Sequence, residues 1–252
     1  MPRIKMIVEY DGTNYHGFQR QANAHTVQAE IEKRIRQLTG ESLTVSGASR
    51  TDTGVHARGQ VIVFDTASPI PAERWSSALN GYLPVDIRVL GSEVVADDFH
   101  PAFAARQKTY YYRIWRERPG SAMQRQRALL CYEDLDEEAM IRAAAGFVGR
   151  HDFQAFCSSG ATTRTSERTI TRCDVERHGP LLVMYITANG FLYNMVRIIV
   201  GTLLEVGRGR IAPDMIPEII ASRDRARAGP TAPPQGLYLL QVEYGDVTQE
   251  KA

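Results

Sequence analysis

The chain has 252 residues, of which 43% are hydrophobic and 23% charged, and its formal net charge is +1. That is apolar material for one large domain or two modest ones, and it excludes a disordered or fibrous chain. No run of about 18 apolar residues occurs, the minimum for a membrane-spanning helix. Met1-Pro2-Arg3-Ile4 lacks the apolar stretch of a signal peptide, so a soluble, cytoplasmic protein with no membrane attachment is expected.

In chain order, Ile4 to Tyr10 reads as a strand, and Thr26 as the cap of a helix with Val27, Ile31, Ile35 and Leu38 at helical spacing. Strands are expected at Leu43 to Ala48 and Gln60 to Asp65, then a helix after Pro71 through Trp75 and Leu79, then a strand from Ile87 to Val95. The second half repeats the order. Lys108 to Trp115 is a strand, Asp134 to Phe147 a helix, and Thr169 to Arg177 and Leu181 to Ala188 are strands joined at His178-Gly179-Pro180. A long apolar helix from Phe191 to Val206, a shorter one after Pro213 and a strand from Leu237 to Tyr244 complete it. The expected fold is therefore α+β: two ferredoxin-like β-α-β-β-α-β halves with antiparallel sheets, at residues 1–105 and 106–252.

Comparing the halves isolates a loop. Where the second half turns tightly at His178-Gly179-Pro180, the first inserts about ten residues, Ser49 to Arg58, which a hairpin does not need. Within it lies Arg50-Thr51-Asp52-Thr53-Gly54-Val55-His56-Ala57. Taken alone, Asp52 could tie an Asx-turn with Gly54 supplying positive φ. Taken as an insertion in one half only, the loop holds an acid for chemistry. His56 reads as a residue that fixes the loop by hydrogen bonds rather than as a general base.

The helix from Phe191 to Val206 is apolar nearly all round, yet Arg197 sits in its middle. A desolvated guanidinium costs several kcal/mol unless a carboxylate and further acceptors meet it; the alternative is that it snorkels to solvent. Tyr193, Arg197 and Gly201 share an i, i+4, i+8 face with Asn194 beside them, a stripe suited to lining a cleft. Asp52 is the expected partner, since a nearby arginine keeps a half-buried carboxylate ionised and nucleophilic. On the strand Lys108 to Trp115, Tyr110 and Tyr112 face one way and Tyr111 the other, so core packing accounts for one set and one ring is left for the cleft.

Basic residues cluster despite the near-neutral total. Arg106, Lys108, Arg113, Arg116, Arg118, Arg125 and Arg127 interleave with Tyr110, Tyr111, Tyr112 and Trp115, and Arg164, Arg168, Arg172 and Arg177 follow. Cations that meet phosphates beside rings that stack on bases point to RNA. The three cysteines, Cys131, Cys157 and Cys173, lack C-x-x-C spacing, which argues against disulfides and zinc. With no Gly-rich nucleotide fingerprint or P-loop lysine either, no metal and no nucleotide cofactor are expected.

Several blocks resemble one family. Glu9-Tyr10-Asp11-Gly12 with Gly17-Phe18-Gln19-Arg20-Gln21, then Gly47 to Ala57 with Gly59-Gln60-Val61, are similar to the bacterial tRNA pseudouridine synthase A family. So are Asp97-Asp98-Phe99-His100, Lys108 to Tyr112, Met195-Val196-Arg197, Ile199-Val200-Gly201 and Gly236-Leu237-Tyr238-Leu239. The resemblance implies the pseudouridine synthase fold and isomerisation of uridine to pseudouridine at positions 38, 39 and 40 of the tRNA anticodon arm, by base flipping and an aspartate covalent catalyst. It implies a homodimer whose two subunits contact tRNA, and no cofactor. The family's aspartate falls on Asp52, its active-site tyrosine on Tyr110 and its helix arginine on Arg197, while Arg50 is expected on backbone phosphate or in the space the base leaves. Two positions depart from the pattern: Thr53 replaces the commoner alanine, and Pro101-Ala102 follows His100 where an arginine is common.

Two other readings suit part of the chain. Asp52-Thr53-Gly54 could be half of an aspartic protease, though the preceding Ser49-Arg50-Thr51 is not an apolar strand and a close arginine defeats a shared proton. A non-catalytic RNA-binding module accounts for the fold and charge without chemistry.

Overall fold

In the computed structural model, which describes residues 1–160 and 165–245, the chain divides into two compact units. One comprises Met1–Arg106 with the last strand from Tyr238; the other is Gln107–Leu237. Arg164 of the second basic cluster lies outside the described residues.

The first unit is built on alternation. In β1 (Arg3–Tyr10), Ile4, Met6, Val8 and Tyr10 are buried and the residues between them are not. α1 (Val27–Thr39) starts where the Thr26 hydroxyl accepts from the Ala29 amide, and it stops at Gly40. Its Val27, Ile31 and Ile35 are fully buried. β3 (His56–Asp65), α2 (Trp75–Asn80) and β4 (Ile87–Val95) complete the layer, with Trp75, Leu79 and Ile87 in the core. Each such buried side chain contributes on the order of 1.5–3 kcal/mol. β1 lies between β3 and β4, antiparallel to both.

The expected strand Leu43 to Ala48 shrinks to β2 (Ser46–Gly47), and β3 begins at His56 rather than Gln60. The Val45 backbone is taken by α1 instead, its N–H donating to Glu32 Oε1 at 3.0 Å and its carbonyl accepting from Gln28 Nε2 at 3.0 Å, and at the other end the chain is held by Gln60. Gln60 is wholly buried, and its side-chain amide bonds both groups of Ser49: Ser49 N–H donates to Oε1 at 3.1 Å and Nε2 donates to the Ser49 carbonyl at 2.7 Å. The chain therefore leaves the ladder at Ser49 with its polar groups satisfied.

The last strand corrects the expected sheets. β10 (Leu237–Tyr244), read from sequence as closing the C-terminal half, pairs with β3 in parallel, Tyr238 opposite His56 and Leu239 opposite Ala57. The sheets are thus mixed rather than antiparallel.

In the second unit, β5 (Ala105–Trp115) pairs antiparallel with β9 (Leu181–Ala188), β9 with β8 (Glu167–His178), and β8 with β7 (Gly149–Asp152). A short β6 (Leu129–Leu130) runs parallel to β5. Neither β6 nor β7 has the length or alternation to be read from sequence. α3 (Glu137–Ala145) is capped by Asp136, whose carboxylate accepts from Ala139 N–H at 2.8 Å. α4 (Met195–Gly207) is buried except at Arg197 and Glu205, and α5 (Ile216–Ser222) follows. Phe147, Phe153 and Phe156 pack edge to face in this unit's core. Among the described residues no helix is long and apolar enough to cross a membrane, and no cluster of three His, Cys, Asp or Glu side chains could hold a metal.

Candidate active site

Residues 48–55 form the loop that carries Asp52 in the first unit. Thr51 is buried and its hydroxyl is hydrogen-bonded to the Tyr10 hydroxyl at 2.7 Å, while its carbonyl accepts from Phe18 N–H at 3.0 Å. Beyond Asp52 the chain turns through Gly54 at φ 75°, which other residues reach only with strain, and Val55 N–H donates back to the Asp52 carbonyl at 3.1 Å. Gly54 N–H donates to the Tyr15 carbonyl at 3.3 Å. Asp52 itself is partly exposed between buried Thr51 and buried Val55, and Arg50 is exposed. A carboxylate so placed can meet a substrate while its backbone stays fixed.

The Asp11-to-Phe18 segment that holds this loop was named in sequence only as part of a resemblance. Its turn residues, Asp11-Gly12 and Gly17, were the available signal.

The second unit carries Tyr110 and Arg197. Tyr110 is 6% exposed on β5 and packs edge-on against Phe191, with ring centroids 5.1 Å apart. Tyr112, on the same face, is core: its hydroxyl donates to the Pro233 carbonyl at 2.8 Å, and burial raises its phenol pKa despite the nearby Arg197 charge. Tyr111 faces the other way against Tyr185. Tyr110 is thus buried against Phe191, and Tyr111 is the more exposed of the two rings.

Arg197 does not snorkel. Its Nε donates to the Ala232 carbonyl at 2.7 Å and its Nη1 to Asn194 Oδ1 at 2.9 Å, so the guanidinium is oriented from both sides. Asn194 sits before the helix at φ 60°, which asparagine tolerates better than most residues, and its Nδ2 donates to Ser158 Oγ at 3.0 Å. α4 begins at Met195 rather than Phe191, so Tyr193 precedes it and the expected stripe does not exist. Gly201 is not a cleft wall either. A Cβ there would lie 1.7 Å from the Pro230 carbonyl oxygen; the glycine admits the 229–232 segment that carries Arg197's acceptor.

Lys108, on the same face of β5 as Tyr110, is a residue whose environment sequence did not disclose. Burial lowers its pKa from 10.5 to about 8. The basic clusters are partly engaged within the fold: Arg172 pairs with Asp174 and Glu176, Arg177 with Glu137, and Arg116 bonds the Cys131 and Glu133 carbonyls. Arg118, Arg125 and Arg127 stay exposed on the loop after β5.

A family model described as tRNA pseudouridine synthase matches residues 6–104 and 143–245. The chain belongs to the tRNA pseudouridine synthase family. It is 56% identical over 244 residues to a tRNA pseudouridine synthase A of Syntrophomonas wolfei, covering 97% of this chain and 98% of that protein. Identity to the tRNA pseudouridine synthase A of Acetivibrio thermocellus is 54%, over 97% of this chain and 100% of that one. With that of Moorella thermoacetica it is 48%, over the same shares. Membership makes the protein an isomerase. The matched stretches include Arg50, Asp52 and Arg197, whereas Tyr110 and the exposed arginine loop fall between them.

Proposed function

We propose that this protein converts uridine to pseudouridine at positions 38, 39 and 40 of the tRNA anticodon arm, with Asp52 as covalent catalyst. The observation that carries this is a partly exposed Asp52 in a loop tied down on both sides, within a chain of this family. The target base is stacked in RNA, so it is extruded before reaction. The bond from C1′ to N1 breaks, uracil turns while held, C5 joins C1′, and the proton lost from C5 is balanced by one gained at N1. No oxidant, reductant or group donor is required, so no cofactor and no metal enter the scheme. Asp52 acts by attack on C1′, by attack on C6, or by removing a ribose proton to give a glycal.

In this reading Asp52 meets Arg197, whose oriented guanidinium keeps the carboxylate ionised. Tyr110 stacks on or orients the flipped uracil, and Arg50 engages backbone phosphate or fills the vacated space. The protein works in the cytoplasm as a homodimer, with tRNA contacting both subunits. Its architecture is read as two ferredoxin-like halves; β4 and β3 flanking β1, with β2 on β3, is the order that plan requires in the first unit.

Release of tritium from tRNA labelled at uracil C5 tests the reading, because only the isomerase exchanges that hydrogen. Asp52→Asn should abolish release and leave tRNA binding largely intact. Substantial turnover by that variant refutes the assignment, and release by wild type excludes a mere RNA-binding module.

A further inference from the structure

His56 opens β3 just beyond Asp52 and is 1% exposed, its ring stacked on Tyr238 with centroids 4.5 Å apart. Gly12 N–H donates to its Nδ1 at 3.0 Å, and Asp11 Oδ1 lies 3.1 Å from the same nitrogen. One ring nitrogen carries either a lone pair or a proton, so these two contacts are alternatives. The direction of the Gly12 amide is set by a backbone with no room to shift: a Cβ on Gly12 would lie 1.9 Å from the Val55 carbonyl oxygen. Asp11 has the Thr13 amide, at 3.1 Å, as its own donor. The geometry therefore favours Nδ1 as acceptor in a neutral ring.

We infer that His56 is a positioning residue for Asp52: its unprotonated Nδ1 receives the Gly12 N–H and fixes the far side of the Asp52 loop. The near side is fixed by the same segment, through Tyr10 and Phe18 to Thr51. Asp52 thus lies between two clamps belonging to one stretch, Tyr10 to Phe18, and the gap between them sets where the carboxylate can stand. This rests on the reading of Asp52 as the covalent catalyst. A reacting group misplaced by about 1 Å loses on the order of 100-fold in rate, and the buried Gly12 amide left without an acceptor drives such a shift.

Two substitutions at one position separate the acceptor from the ring. His56→Phe keeps a ring on Tyr238 and removes the acceptor; His56→Asn keeps an acceptor where Nδ1 stands and removes the ring. In the tritium-release assay His56→Phe should lower kcat by on the order of 100-fold with KM for tRNA unchanged, and His56→Asn should recover most of that loss. Equal rates for wild type and His56→Phe, or equal loss in both variants, overturn the proposal. Independently of any variant's folding, nitrogen-15 resonances of the wild-type ring at neutral pH should show Nδ1 unprotonated; a protonated Nδ1 overturns it as well. Asp52→Asn run alongside keeps the two readings apart. If it turns over, the catalyst is misassigned; if it is dead while His56→Phe is fully active, only the clamp is wrong.

Discussion

Gly201→Ala probes how the second unit holds its arginine. By helix propensity alone the change should stabilise α4 by about 1 kcal/mol. Against this, the added Cβ would stand 1.7 Å from the Pro230 carbonyl oxygen, a backbone atom that cannot rotate away. The 229–232 segment must lift off the helix, and three hydrogen bonds lie in the path. They are Gly229 N–H to Thr202 Oγ1 at 2.9 Å, Ala232 N–H to the Arg197 carbonyl at 3.0 Å, and Arg197 Nε to the Ala232 carbonyl at 2.7 Å. Overpacking costs about 1–3 kcal/mol, and loss of a hydrogen bond from a charged donor about 1.5–3 kcal/mol. The net of these terms is a destabilisation of on the order of 3 kcal/mol, or roughly 10 °C in melting temperature for a chain of this size. Thermal unfolding followed by circular dichroism measures it, and the tritium assay reports the second consequence, a fall in kcat as Arg197 loses its Ala232 anchor. A variant that melts within about 2 °C of wild type, or above it, refutes the packing argument, since propensity would then have prevailed.

Other expectations follow from the same chemistry. Burial lowers the Lys108 pKa from 10.5 to about 8, so between those values the unfolded chain binds more protons than the folded one and stability rises with pH. The penalty is fully present below about pH 8. At about 1.4 kcal/mol per pKa unit it amounts to on the order of 3 kcal/mol. Lys108→Met should therefore raise stability at pH 7 and flatten the rise between pH 8 and 10.5 in denaturant titrations; an unchanged slope would show that the lysine is not desolvated as described. On the proposed pairing of Asp52 with Arg197, Arg197→Met should move the acid limb of the kcat/KM profile toward higher pH, as a carboxylate that has lost its cation protonates sooner. Arg197→Lys keeps the charge but cannot reach Ala232 and Asn194 at once, so it should restore the limb without restoring kcat. Full recovery of kcat by lysine would show that charge alone suffices.

By itself the sequence determined what depends on local order. Alternating burial along β1, the Thr26 cap, the strands β8 and β9 and an apolar helix with one embedded arginine all follow from neighbours along the chain. The Asp52 loop was legible as well, because an insertion stands out when two halves share an element order, and because the Arg-Thr-Asp-x-Gly-Val-His block is specific to a family. What tertiary structure decided lies at long sequence separation. That β10 pairs in parallel with β3 has no local signature, since a strand's alternation does not name its neighbour. That Gly201 yields to a crossing segment, that Gln60 holds Ser49, and that a buried His56 meets Gly12 all depend on which remote residue arrives. A side chain's type can be read in one dimension, but its acceptor can be read only in three.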